Sequence, residues 1–210
     1  MNKLNFDSVN PEVLGSSQKG QDSYIKHVFD TIGTTNKYCV EFGATDGFNG
    51  SNTLFLRNAG WDALLIDNMY ENPSINLHKR HITKDNICSI FKTFNVPTEL
   101  DFLSVDIDGN DYWVLSSILT KYSPRVIIIE TNVRFEPYES MAMKYIEDWR
   151  WDWGSWYGAS PYAYKKLVNQ YNYTPVYMHV DDMIIVRNDC LHDDDINKEW
   201  LSVYGQSNKG

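Results

Sequence analysis

Five carboxylates stand at the ends of short apolar runs in this 210-residue chain: Glu41, Asp67, Asp106, Asp108 and Glu130. A carboxylate in such a place can accept hydroxyl hydrogens, hold a hard cation or take a proton from a reacting group. The first lies in Val40-Glu41-Phe42-Gly43-Ala44-Thr45-Asp46-Gly47. Glycines four apart after a buried run let the backbone turn sharply and come close to a ligand. A helix beginning just beyond would add free amide hydrogens. Thr45 occupies the middle glycine position of a dinucleotide fingerprint, and no third glycine follows where one is needed. Glu41 would repel a pyrophosphate but could face a cation. A plain strand-to-helix turn uses the same residues.

Asp67 ends the next apolar run, 24 positions after Gly43. A carboxylate there suits the two hydroxyls of a ribose, although a strand-ending Asp often only caps a helix. Together, Glu41, Gly43, Gly47 and Asp67 suggest S-adenosylmethionine, a nucleoside with positive sulfonium and amino groups and no phosphate. Asp106-Ile107-Asp108 places two acids at the end of a later run, and Glu130 and Asn132 end the run after it. Alternation would aim the two Asp at opposite faces unless the strand stops at Asp106. Asp106, Glu130 and the Asn132 amide oxygen form a hard ligand set for Mg²⁺ or Mn²⁺. The alternative for Asp106 is helix capping and cofactor contact alone. A calcium loop is excluded, because Asp111 and Ser117 replace its required Gly and Glu.

Trp149-Arg150-Trp151-Asp152-Trp153-Gly154-Ser155-Trp156-Tyr157 gathers four of the 7 tryptophans. Indole faces beside Asp and Arg suit a carbohydrate. Trp151, Trp153, Trp156 and Tyr157 are the expected substrate wall, or else the segment packs on the sheet edge or on a second subunit. His78 and His81 lack an acid at zinc spacing, and Asp193–Asp195 reads as a solvated helix entry.

These residues need a scaffold, and the chain supplies a rhythm. Helical spacing runs from Gln21 to Ile32, stopped by Gly33. A strand over Lys37–Phe42 follows, then a helix from about Asn49 to Asn58, then a strand over Trp61–Ile66. Ile82 is expected in a third short strand, and Asp85 to Asn95 in a helix with Asp85 as N-cap. A strand over Asp101–Ile107, a helix over Tyr112–Leu119 and a strand over Val126–Ile129 continue the alternation. Such alternation predicts a mostly parallel sheet with helices on both faces. Residues 1–18 read as an irregular lead-in and 133–157 as a Trp-rich insertion, a lid in the substrate-wall reading. Ser160-Pro161 opens a helix to about Tyr171. Val176–Val180 and Met183–Val186 form a closing hairpin, and Ile196–Val203 a last helix.

Composition bounds the function. Hydrophobic residues make up 42% and charged residues 22%, which fits a single packed domain. Lys and Arg number 19 against 28 Asp and Glu, a formal charge of −9, which disfavours nucleic acid and anionic membranes as partners. No run approaches a membrane span, and no signal peptide is visible. The 3 Cys at scattered spacings suit a reducing, cytoplasmic setting.

Several segments together resemble the FkbM-like family of class I S-adenosylmethionine-dependent methyltransferases. They are VEFGATDG (40–47), SNT (51–53), GW (60–61), LLID (64–67), HITKDNI (81–87), DFLSVDIDGNDYWVL (101–115), PRVIIIETN (124–132) and YGAS (157–160). The likeness spans roughly residues 20–190. It implies a Rossmann-like, seven-stranded, mostly parallel sheet with an antiparallel last strand. It implies a methyl donor over Gly43–Gly47, with Asp67 on its ribose and Asp85-Asn86 near its adenine. The cofactor contacts expected are Glu41, Gly43, Ala44, Asp46 and Gly47, then Ser51, Asp67 and Asn68, then Asp85, Asn86 and Asp106. By likeness to sugar O-methyltransferases, Asp106 and Glu130 would hold metal and Asp108 would be the base, although Thr131 replaces a second acid after Glu130. The expected activity is methyl transfer to a hydroxyl of a sugar, glycan or glycoside. The alternatives are a metal-dependent glycosyltransferase using Asp106-Ile107-Asp108 and a non-catalytic carbohydrate-binding module.

Overall fold

The computed structural model describes residues 2–11, 14–152 and 154–205. Its core is one seven-stranded sheet. The strands are β1 (Tyr38–Phe42), β2 (Asp62–Asp67), β3 (Leu77–Lys79), β4 (Phe102–Val105), β5 (Val126–Glu130), β6 (Tyr173–His179) and β7 (Asp182–Arg187). Their order is β3-β2-β1-β4-β5-β7-β6. β7 pairs antiparallel with both β5 and β6, and every other pairing is parallel. This is the Rossmann-like sheet with a reversed last strand that the resemblance implied. The order reverses between β1 and β4, so a crevice opens there at the carboxyl ends of the parallel strands, where open α/β sheets take ligands.

Among the described residues seven α-helices flank the sheet: α1 (Gln21–Ile32), α2 (Leu54–Asn58), α3 (Ile87–Thr93), α4 (Asp111–Leu119), α5 (Pro161–Asn169), α6 (Asp193–Ile196) and α7 (Trp200–Tyr204). Strand alternation divides the core between two layers. On β5, Ile127 and Ile129 pack with Phe91 of α3, Leu115 of α4 and Tyr164 of α5. Val126 and Ile128 face the other way, toward Ile25 and Phe29 of α1. The lead-in is irregular, yet Leu4 and Phe6 are buried in that second layer, with Phe6 stacked on Tyr177 at 4.3 Å.

Several expected boundaries move, each for a local reason. α2 starts at Leu54 instead of near Asn49, because Glu41 takes hydrogen bonds from the 51–53 segment and holds it out of the helix. β3 is Leu77–Lys79, with one buried apolar residue, and Ile82 lies beyond it in a loop. α3 begins at Ile87 with Asn86 as N-cap. β4 ends at Val105, because Asp111 captures the amides of Ile107 and Gly109 and bends the chain away from the sheet. β6 begins at Tyr173, and Asp182 already belongs to β7. The last helix is two short ones, α6 and α7.

At the far end of the sheet Asp101 anchors the turn into β1. It accepts hydrogen bonds from the Thr35, Asn36 and Lys37 amides and from the Arg125 guanidinium at 2.9 Å. Burial alone would raise its pKa, but these donors outweigh burial and hold it below the ordinary value.

Candidate functional site

The loop after β1 is shaped by backbone that only particular residues tolerate. Gly43 has φ 66°, and a Cβ there would run into the carbonyl oxygen of Asp106, just beyond neighbouring β4. Gly47 has φ 79°, and a Cβ would lie 2.6 Å from Ile75 Cδ1. Gly43 is therefore required by close approach to backbone as well as by conformation, and Gly47 by its conformation. Arg57 donates to the Gly47 carbonyl and fastens the loop to α2. Thr45, with φ 47°, donates its amide to Asp67 Oδ2 at 2.9 Å. Asp67 Oδ1 accepts the amides of Met69 and Tyr70 at 2.7 and 3.1 Å. Asp67 thus ties the loops after β1 and β2 together while its carboxylate lines the crevice.

Glu41 has a different placement. It is buried, and its two oxygens accept from Ser51 Oγ at 2.7 Å, the Asn52 amide at 2.7 Å and Thr53 Oγ1 at 2.5 Å. It does not line the main cavity but a small cleft of about 20 Å³ beside it, together with Ala44 and Ser51. Asp46 turns back on its own loop, where the amides of Asn49 and Phe48 hold its carboxyl below the usual range. Asn68 lies on the cavity wall. Asp85 and Asn86 do not. Asp85 is exposed and pairs with Lys84, and Asn86 spends its amide on Thr83 and His81 backbone. The wall near that point is made by Arg80, His81 and Ile82.

Asp106, Asp108 and Glu130 converge beyond the glycine turn. Each offers a carboxylate oxygen, and the three oxygens lie within 4.8 Å of one another. Asp106 follows β4 and Glu130 ends β5, so adjacent parallel strands bring them together. Asp108 is swung into the group by a left-handed backbone, φ 56°. Local strain of this kind persists only where the surroundings enforce it. Here Asp111, fully buried, pins the loop through the Ile107 and Gly109 amides at 2.8 and 2.7 Å. Burial raises the carboxyl of Glu130 to about 10, helped by Asp106, Asp111 and Asp108. Asp106 is raised well above its ordinary value by burial and then by Asp111, and Asp108 is raised by burial. Glu130 Oε2 is buried with no hydrogen-bond partner. A cluster of acids with an unsatisfied oxygen fits a hard divalent cation.

Asn132 is not part of this cluster. Its amide donates to the carbonyls of Ser155 and Tyr157 and its oxygen accepts the Arg134 amide, so it ties down the insertion instead. The carboxylate that joins Asp106 and Glu130 is Asp108 instead, because the strand ends early and the loop redirects that side chain.

The insertion closes one side of the cavity. Trp149, Trp151 and Tyr157 line it. Trp156 is 48% exposed and meets Phe135 instead, while Trp153 lies outside the described residues. The segment is sewn to the acid loop. Trp149 Nε1 donates to the Asp108 carbonyl at 3.1 Å, and Asn110 Nδ2 donates to the Ile146 carbonyl at 2.7 Å. A Cβ on Gly109 would strike the Trp149 indole.

All of these walls enclose one cavity of about 730 Å³, in the size range of small-molecule sites. It unites Gly43, Thr45 and Asp67 with Asp106, Asp108 and Glu130 and with the aromatic side chains. Sequence reasoning missed Gln18 and Lys19, which reach the cavity from the end of the lead-in. Lys19 pairs with Asp181; burial would lower its pKa, but that carboxylate raises it overall. Arg80, His81, Trp149 and Arg134 were missed as well. Trp149 opens the Trp-rich run that was singled out, so proximity was a usable signal. The others have none short of the folded chain.

No family model matches this chain, and no curated protein does. Among solved structures it is similar to the citrinin polyketide synthase CMeT domain, at 11% identity over 80% of this chain, with a TM-score of 0.38. This chain spans about half (51%) of that chain. At this level of similarity the fold description rests on the strand order and not on the neighbour.

Proposed function

We propose that this protein is an S-adenosylmethionine-dependent O-methyltransferase whose acceptor is a hydroxyl of a sugar or glycoside. The observation that carries the reading is the joining, in one cavity, of the Gly43–Gly47 turn and Asp67 with the Asp106–Asp108–Glu130 cluster. The turn and Asp67 supply a cradle without a cationic phosphate grip, suited to a nucleoside with a sulfonium. The acid cluster lies across the Gly43 turn from Asp67, on the same side as the Trp149, Trp151 and Tyr157 wall, where an acceptor would sit.

The residues divide the work. Gly43, Thr45 and Asp67 form the donor side, and Glu41 holds the 51–53 segment against it. Trp151 and Tyr157 offer faces on which a sugar ring can stack while acids bind its hydroxyls. The donor methyl is already electrophilic, so alignment and removal of one proton are the main demands on the protein. Asp108, the most exposed of the three acids, takes the proton from the acceptor oxygen as it attacks the methyl carbon. Asp106 and Glu130 would hold a divalent cation, whose bound chemistry is to lower the pKa of the acceptor hydroxyl.

A thermal melt tests the reading. Saturating S-adenosylhomocysteine should raise the melting temperature by several degrees, since a ligand at 100 times its Kd adds about 2.7 kcal/mol. A rise with a nucleoside-diphosphate sugar and none with S-adenosylhomocysteine would favour glycosyl transfer instead.

A further inference from the structure

The cavity holds a cation that the methyl-transfer scheme leaves without a task. Arg134, an exposed side chain of the insertion, lines its wall, and its guanidinium has no hydrogen-bond or ion-pair partner among the described residues. Three arginines elsewhere are held by carbonyls or carboxylates, while Arg80, on the same cavity, donates only to the Lys79 carbonyl. Arg57 donates to the Gly47 carbonyl, Arg125 to Asp101 and Arg187 to Asp189. Lys19, on the same cavity, is already neutralised by Asp181.

Arg134 is also placed to act on an acceptor. Asn132 holds the two backbones together, donating its side-chain amide to the Tyr157 carbonyl and accepting the Arg134 amide. Burial raises the Tyr157 hydroxyl to about 12; Glu130 adds to that rise and Arg134 opposes it. Trp151 meets Tyr157 edge-on at 6.0 Å and extends the aromatic wall. A ring seated on this wall would lie in the cavity that Arg134 also lines, and closing over the guanidinium would strip it of water. Covering an unpaired guanidinium costs free energy unless an anion replaces the water.

We infer that the acceptor is an anionic sugar or glycoside, with a carboxylate or phosphate group received by Arg134. The inference rests on the methyltransferase reading and narrows its substrate class. The chemistry shared by the two anions is a planar or trigonal oxygen set that a guanidinium binds through two N–H groups.

The test compares D-glucuronate, glucose 6-phosphate and glucose as acceptors of the intact protein with S-adenosylmethionine and Mg²⁺, reading S-adenosylhomocysteine release. At least one anion should exceed glucose in kcat/KM by about tenfold or more, the worth of one charge-assisted hydrogen bond. The two anion arms distinguish carboxylate from phosphate. R134A should raise KM for that anion about tenfold with kcat little changed, and R134K should recover part of the loss. The affinity of R134A for S-adenosylhomocysteine, measured by calorimetry, should equal that of the parent. Glucose equal to both anions, or an unchanged KM in R134A, would overturn the inference. So would turnover of none of the three by a protein that binds S-adenosylhomocysteine. Weakened S-adenosylhomocysteine binding in R134A would assign the guanidinium to the donor's own carboxylate and overturn it too. A protein that binds no S-adenosylhomocysteine at all fails the parent reading first.

Discussion

Asp67 and Glu130 both end parallel strands, yet their surroundings differ. Asp67 accepts three backbone amides, while Glu130 keeps a buried oxygen with no partner and is pushed up to about 10 by burial and by Asp106. The first is a built connection between loops, and the second is an acid waiting for a positive charge. Asp108 differs again, since it is exposed and held at φ 56°. Replacing Asp108 by Asn should therefore cut methyl transfer by 10² to 10⁴-fold, about the worth of a general base, while the S-adenosylhomocysteine affinity stays within a factor of about two. Full activity in Asp108→Asn would remove it as the base. At Gly43 the expectation is steric. Gly43→Ala forces a Cβ toward the Asp106 carbonyl in a left-handed backbone, so donor affinity and thermal stability should fall together. Several of these roles were legible beforehand. The acids at strand ends and the paired glycines stand out because type and spacing coincide. Asn132 misled because its spacing from Glu130 is right, while its amide is consumed by the Ser155 and Tyr157 carbonyls, which no linear pattern reveals.

Strands β1, β2, β4 and β5 were readable because each is a short, mostly apolar and mostly buried run, as parallel strands are. β3 was not, since Leu77 is its only buried residue and register with Leu65–Asp67 is set by the sheet. The start of α2 was hidden for a related reason, because Glu41 and not local propensity decides it. Two predictions belong at this scale. Trp149 links the insertion to the loop that carries Asp108. Trp149→Phe keeps the ring but removes the N–H, so kcat should fall several-fold while the S-adenosylhomocysteine Kd is unchanged; an unchanged kcat would make the link incidental. The second concerns the opposite end of the sheet. Asp101 is charged and fully buried against Arg125 and three amides. Asp101→Asn should destabilise the fold by about 3 to 5 kcal/mol at neutral pH, since it leaves a buried guanidinium without its counter-charge, bonded to the Gly33 and Ile32 carbonyls. The Asp101 pKa is lowered on folding, so its contribution is complete above the unfolded value of about 3.9. It is lost as pH falls below that through the folded value. Denaturant melts of parent and variant should therefore converge below about pH 4, and parallel curves throughout would contradict this account.

At the scale of the whole molecule, the charge of −9 is unevenly spent. Asp67, Asp106, Asp108 and Glu130 all face one cavity at the switch point of the sheet, where they repel one another unless a cation enters. In the proposed reading a sulfonium donor and a divalent ion would supply that charge. The mostly parallel sheet with a reversed strand was foreseeable from the strand–helix alternation and the family resemblance together; its strand order was not. The contribution of Gln18 and Lys19 was not, because an irregular lead-in carries no periodicity to show where it packs. The claim that these parts make one donor site is tested most directly by a calorimetric titration of the intact protein with S-adenosylhomocysteine, with and without Mn²⁺. The account predicts saturable binding at one site per chain, with the affinity reduced by about tenfold or more in Asp67→Ala. No heat of binding at millimolar S-adenosylhomocysteine, or equal affinity in Asp67→Ala, would contradict it.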